Sequence, residues 1–252
     1  MKNSEYFLKI TKDQTDPNKL NIYLQYPDGE EVTHSALDSA TKGSEWGYPS
    51  IYCITGTCQS WKPIFTMNYK RDCKLIAFGD SFLEGNSIRL NKDDRYIALL
   101  AQDLGVNEIP ILSRGGESTI TVLNRIYQQI DWYKEAKYCL IALGTNDTVF
   151  ATYQTNILSI IAYLKSYGII PILVTVTHRS DVDNTTFQTS ANAWVRGLGE
   201  LYVDMSLAVS EVGDETTWRS GFQLGDNVHP SITGHDYMYR RIKRDAQYLY
   251  KN

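Results

Sequence analysis

The 252 residues suffice for one large α/β domain, or for a domain of about 180 residues with a smaller appendage. Hydrophobic content of 42% and charged content of 21% describe a soluble globular chain, and no apolar run reaches the roughly 18 residues of a membrane span. A net charge of −4 leaves one dense basic cluster, Arg240-Arg241-Ile242-Lys243-Arg244, so neither a membrane nor a nucleic acid is an expected partner.

Residues 1–72 read as a β-rich appendage. Tyr6 to Ile10 and Leu20 to Tyr26 alternate apolar and polar side chains, and Pro27-Asp28-Gly29 follows as a turn, which predicts half-buried antiparallel strands. Gly43 to Trp61 has no helical period. Its aromatics Trp46, Tyr48, Tyr52 and Trp61 either line a sugar-stacking face or fill a small core. Cys53, Cys58 and Cys73 lie in or near this loop-rich stretch, where one disulfide is possible, while Cys139 reads as a small core residue. The cysteines fit no zinc spacing, so no metal and no cofactor is expected. Met1 to Tyr6 lacks the apolar segment of a signal peptide; the expected location is nonetheless secreted or periplasmic.

From residue 73 the texture changes to alternating strands and helices. Lys74 to Phe78 is a short apolar run that stops at Gly79-Asp80-Ser81, which predicts a buried strand and a turn at its carboxyl end. A helix follows over Asp94 to Leu104, then a strand over Glu108 to Leu112, Gly115-Gly116, and a helix carrying Ile120, Leu123, Ile126, Tyr127 and Ile130. Next come a strand over Tyr138 to Leu143 with Gly144-Thr145-Asn146-Asp147, and a helix over Tyr153 to Tyr167. A strand over Ile169 to Val176, a helix around Ser190 to Leu198 and a strand over Leu201 to Asp204 complete the alternation. Ser210 to Pro230 reads as loop, and Met238, Ile242, Ala246 and Leu249 mark a last helix. Five apolar strands separated by helices predict a doubly wound, five-stranded parallel sheet between two helical layers.

The carboxyl edge of such a sheet is where ligands bind, which makes Ser81 a candidate nucleophile. Of the four histidines, His229 sits in Asp226-Asn227-Val228-His229-Pro230, where an acid three residues earlier can orient its ring. Pro230 restricts the backbone of His229 to extended geometry. Gly115-Gly116 and Asn146 end neighbouring strands and supply backbone N–H and side-chain NH₂ donors for an oxyanion.

These blocks resemble the SGNH hydrolases, or GDSL esterases and lipases, over about residues 74–250. Gly79-Asp80-Ser81, Gly115-Gly116-Glu117-Ser118-Thr119, Gly144-Thr145-Asn146-Asp147 and Asp226-Asn227-Val228-His229-Pro230 come in the family's order, with Glu117 where Asp is commoner. The resemblance implies a flavodoxin-like three-layer sandwich and a triad of Ser81, His229 and Asp226. It also implies an oxyanion hole from Ser81, Gly116 and Asn146, with Gly115 as the alternative to Gly116. No Gly-x-Ser-x-Gly elbow is present.

Polar segments such as Glu84 to Ser87, Thr177 to Asp181 and Trp218 to Gly221 suit a hydroxyl-rich ligand, and Phe82, Tyr153, His178 and Trp218 are candidate substrate contacts. The expected activity is removal of O-acetyl groups from an oligo- or polysaccharide. A lipase or thioesterase on another acyl substrate and an inactive glycan-binding module are the alternatives.

Overall fold

The computed structural model describes residues 7–12, 19–25, 31–37 and 73–251, apart from 86, 87, 89, 90, 107, 108, 131, 132 and 134; the first three stretches are described by backbone alone. The chain divides into two compact units, Met1–Thr66 and Met67–Asn252. In the first, β1 (Phe7–Lys12), β2 (Lys19–Gln25) and β3 (Glu31–Leu37) form an antiparallel meander, with Ile10 opposite Ile22 and Ile22 opposite His34. β3 was not expected, because Val32, Ala36 and Leu37 make a weak alternation. The aromatics Trp46, Tyr48, Tyr52 and Trp61, with Cys53 and Cys58, lie outside the described residues.

The second unit runs β4 (Leu75–Gly79), α1 (Ser81–Glu84), α2 (Tyr96–Asp103), β5 (Ile111–Ser113), α3 (Thr119–Gln129), β6 (Tyr138–Ala142) and α4 (Phe150–Ser166). It continues with β7 (Ile170–Val174), α5 (Thr185–Gly197), β8 (Leu201–Val203), α6 (Met205–Val209), a hairpin of β9 (Ser210–Glu211) and β10 (Asp214–Trp218), and α7 (Ile232–Asp245). The five strands pair in parallel in the order β5-β4-β6-β7-β8. α2 packs on α7 and α7 on α6, whereas α3 packs on α4 and α4 on α5. These two helical layers close the doubly wound sandwich. The strand order reverses between β4 and β6, and in such sheets the crevice at that point is the ligand site.

Burial dictates which apolar runs become strands. Every residue of β4 and of β6 is buried, as a central parallel strand covered on both faces requires. Ile76, Phe78, Cys139 and Ile141 join Val122, Ile126, Ile157 and Ile160 in one core cluster, each large apolar side chain contributing about 1.5–3 kcal/mol by leaving water. Met238, Ile242, Ala246 and Leu249 are buried as their spacing predicts. In α3 the inward stripe is Val122, Ile126 and Ile130; Ile120 and Tyr127, expected on it, are exposed, and Tyr127 packs edge-on against Tyr163 instead. Among the described residues no helix is long and apolar enough to cross a membrane.

Gly144 ends the run after β6 and cannot carry a side chain. Its φ is +127°, and a Cβ there would stand 2.4 Å from Val176 Cγ2 and 3.2 Å from Tyr153 Cε2. Backbone strain and overpacking together put the expected cost of Gly144→Ala at about 2–4 kcal/mol, read from the urea midpoint. A midpoint unchanged from that of the native chain would contradict this packing.

Candidate active site

Ser81 follows β4 through a strand-to-helix turn that needs a small residue before it. A Cβ on Gly79 would lie 2.7 Å from Leu83 Cβ and 3.0 Å from the Ala142 carbonyl oxygen. Asp80 caps α1, its Oδ1 accepting from Phe82 N at 2.9 Å, and Ser81 is the first helical residue. Its N–H therefore has no acceptor within the helix.

His229 arrives from the other end of the chain. Residues 222–231 form a closed loop in which Leu224 N donates to His229 O, Ser231 N to Phe222 O and Asn227 N to Leu224 O. Asn227 makes the bend with φ at +61°, a left-handed conformation that asparagine tolerates better than most residues. Asp226 Oδ1 accepts from Val228 N at 3.0 Å and His229 N at 2.9 Å, which leaves Oδ2 to meet His229 Nδ1 at 2.7 Å. Across the site His229 Nε2 lies 2.8 Å from Ser81 Oγ.

A carboxylate only accepts, so Nδ1 carries the proton toward Asp226 and a neutral ring presents Nε2 as acceptor to the serine hydroxyl. Burial works to raise the Asp226 carboxyl, but the His229 and Val228 N–H groups and the imidazole outweigh it and hold the group below the usual range. Asp226 is thus ionised at neutral pH.

The loops after β5 and β6 face the same crevice. Glu117 N donates to Arg114 O at 3.2 Å across a turn whose third residue, Gly116, has φ at +79°, a value that glycine adopts without strain. Glu117 is held by Arg125, whose Nε donates to Oε1 at 2.7 Å and whose Nη2 contacts Oε2 while also donating to Leu112 O. The longer Glu117 carboxylate, where Asp is commoner, thus reaches one helical turn or more along α3. Asn146 Nδ2 donates to Glu117 O at 2.9 Å, and buried Asp147 accepts from Thr119 N and Thr119 Oγ1, so the two loops are stitched together twice.

The remaining candidates divide. Phe82 is buried beside the imidazole, its ring centroid 5.6 Å from that of His229, and buried Trp218 lies on Phe82 at 6.4 Å. The Trp218 indole donates to His178 O at 2.7 Å, and half-buried His178 lies 3.2 Å from Gln188 Oε1 through Nδ1. Tyr153 is not at the surface of the site. It sits on the inward stripe of α4 with Ile157, Ile160 and Leu164, edge-on to Phe187 and Trp194, and is a core residue. Arg125 and Arg179, which brace the loops, were not anticipated. The loop groups that they brace lie eight and thirty-three residues away, at no spacing that marks a pair.

Asp80 is fully buried beneath the nucleophile. Burial raises its carboxyl to about 6, with the Phe82 N–H, the Thr145 hydroxyl and the charge of His229 acting the other way. The folded chain therefore holds this proton more tightly than the unfolded one. The stability so gained is present below about pH 4 and is lost as pH rises through 6, a difference of roughly 3 kcal/mol. Asp80→Asn keeps an acceptor for Phe82 N and presents its NH₂ to the cavity that Thr145 and Thr177 line. It is expected to stabilise the chain at pH 8 and to leave it unchanged at pH 4 in urea titrations; equal shifts at both would contradict the buried charge.

The chain matches the GDSL-like Lipase/Acylhydrolase family over residues 77–237. No curated protein matches it. Among solved structures it is similar to a GDSL-like lipase from Bacteroides thetaiotaomicron, with 19% identity, a TM-score of 0.60, and coverage of 73% of this chain and 92% of that one. It is also similar to a catalytic mutant of Axe2, an acetylxylan esterase from Geobacillus stearothermophilus, with 20% identity, a TM-score of 0.55, and coverage of 71% and 96%. Esterase EstA from Pseudoalteromonas sp. aligns at 16% identity and a TM-score of 0.56, covering 71% of this chain and 100% of that one. At these identities the solved structures speak for the fold alone, whereas the family match covers well over half of the chain. The chain belongs to the GDSL-like lipase/acylhydrolase family.

Proposed function

We propose that the chain is a serine esterase that removes O-acetyl groups from a carbohydrate through an acyl-enzyme, and that it works outside the cytoplasm. The observation that carries the esterase reading is the unbroken line from Ser81 Oγ through His229 to Asp226. Ser81 Oγ attacks the acyl carbon while His229 Nε2 takes its proton, and the carbonyl oxygen becomes an oxyanion. Ser81 N–H, an N–H of Gly115 or Gly116 and the Asn146 NH₂ receive that oxyanion. His229 then gives the proton to the departing sugar oxygen, and the acyl-serine forms. A water, deprotonated by the same imidazole, attacks the ester; acetate leaves and Ser81 regains its proton.

The glycan reading rests on exposed polar residues beside the loop that carries His229, where Ser180 N donates to Asn227 O and Gly221 O accepts from Ser231 Oγ, with Asp181 and Ser220 next to them, and on the likeness to an acetylxylan esterase. Phe82 beside the imidazole with Trp218 against it, and the likeness to a GDSL-like lipase, favour the second reading, an acyl substrate that is not a carbohydrate. Acetate release from a panel of acetylated polysaccharides, set against p-nitrophenyl acetate and butyrate, separates the two. The first reading expects fastest release from one polysaccharide and at least tenfold discrimination against butyrate. Activity on the small esters alone, with butyrate preferred, would overturn it.

A further inference from the structure

An oxyanion donor works only if its amide is turned the right way, since the oxygen end of the same group would repel the developing charge. The Asn146 amide meets two partners. Its Nδ2 donates to Glu117 O at 2.9 Å, and its Oδ1 accepts from Arg179 Nη1 at 3.3 Å. The carbonyl can only accept and the guanidinium only donate, so both partners demand one orientation of the amide, NH₂ inward on the β5 side and oxygen toward Arg179.

Arg179 is itself held. Its Nε and Nη2 form a fork on Asp181 at 2.9 and 2.6 Å, which fixes the plane of the guanidinium, and Nη1 also approaches Thr145 O at 3.5 Å. The next residue, Ser180, donates its N–H to Asn227 O at 2.8 Å, inside the loop that carries Asp226 and His229. One short stretch of the β7–α5 connection therefore touches the oxyanion loop with a side chain and the acid–base loop with its backbone.

We propose that Arg179 is a positioning residue for the oxyanion donor Asn146, locking its amide with the NH₂ toward the acyl oxygen; this rests on the esterase reading above. Arg179 touches neither nucleophile nor base. Its loss leaves the Glu117 bond alone to hold the amide, whose oxygen then has no fixed donor; the looser donor weakens transition-state binding more than ground-state binding and so acts on kcat rather than KM.

The test is a double-mutant cycle on p-nitrophenyl acetate with kcat and KM measured separately. Arg179→Met is expected to lower kcat about tenfold with KM within twofold, and Asn146→Ala about a hundredfold or more. In the Asn146→Ala background Arg179→Met should change kcat less than twofold. Arg179→Lys, which keeps the charge but cannot hold Asp181 and Asn146 together, should fall between native and Met and serves as the second variant should Met fail to fold. Native kcat in Arg179→Lys and Arg179→Met, or the same loss in both backgrounds, would overturn the proposal. Turnover no faster in the native chain than in Ser81→Ala would instead defeat the esterase reading. The Asn146 side-chain amide proton pair, followed by NMR, then judges Arg179 alone: a shift in a folded Arg179 variant supports the lock, and an unmoved pair refutes it.

Discussion

Ser81→Ala is expected to lower kcat on any ester the native chain hydrolyses by roughly 10⁵- to 10⁶-fold. The size follows from what is lost and what remains. Without Oγ no acyl-enzyme forms, and His229 has nothing to deprotonate but water held less well. The oxyanion donors on Ser81 N–H, Asn146 and the Gly115-Gly116 turn stay in place, so a residual rate above that in water is expected. His229→Ala should cost about as much, and the pair together little more, because nucleophile and base act as one unit. Stability should move little: Ser81 is the first residue of α1, its cap is the Asp80 side chain, and its hydroxyl binds only His229 among the described residues. Product release and a thermal melt on the same samples check both halves. More than 1% of native activity in Ser81→Ala would remove Ser81 as the nucleophile.

The sheet was legible because its strands are buried on both faces. Leu75 to Gly79 and Tyr138 to Ala142 lie in continuous apolar runs, the first between Lys74 and Asp80 and the second between Lys137 and Gly144, and such runs have few other fates in a chain of this composition. β5 was displaced, expected over Glu108 to Leu112 and found at Ile111–Ser113, since Pro110 lacks the N–H that an earlier ladder position would need. α5 begins at Thr185, earlier than expected. Its first turns bury Gln188 and Asn192, polar residues that a hydrophobic period cannot register. Gln188 donates to Glu215 O and Asn192 to Val176 O, so these amides are satisfied by groups far along the chain. The β9–β10 hairpin fell in the segment expected to be loop, and α6, just before that segment, was not expected, because elements of two to five residues carry too little pattern to be read.

The candidate site was legible for a different reason. Ser81, Asn146 and the Gly115-Gly116 turn lie at ends of strands that parallel pairing brings to one edge, and Asp226 reaches His229 within its own loop. What stayed hidden is the bracing between loops. Arg125 reaches back eight residues to Glu117 and Arg179 reaches Asn146 across thirty-three, and an arginine on an ordinary helix or loop looks like surface charge until its partner is located. Tyr153, expected to touch substrate, lies one turn into α4 at a position that faces the core.

Asp226→Asn is the second large loss expected, about 10⁴-fold in kcat/KM at neutral pH. The argument turns on which way the new amide faces. Asp226 Oδ1 accepts two backbone N–H groups, from Val228 and His229, and those donors choose the amide oxygen over the NH₂, which would meet them donor to donor at the cost of two hydrogen bonds. The NH₂ is then left facing His229 Nδ1, where the carboxylate Oδ2 had accepted a proton. To meet a donor, Nδ1 must give up its hydrogen, so the proton moves to Nε2 and points at Ser81 Oγ. A ring in that tautomer cannot take the hydroxyl proton, and the acyl carbon is attacked by an unactivated serine. The loop keeps both backbone bonds, so the melting temperature should hold within a few degrees while activity collapses. A loss of less than tenfold would mean that the imidazole is oriented by something other than Asp226.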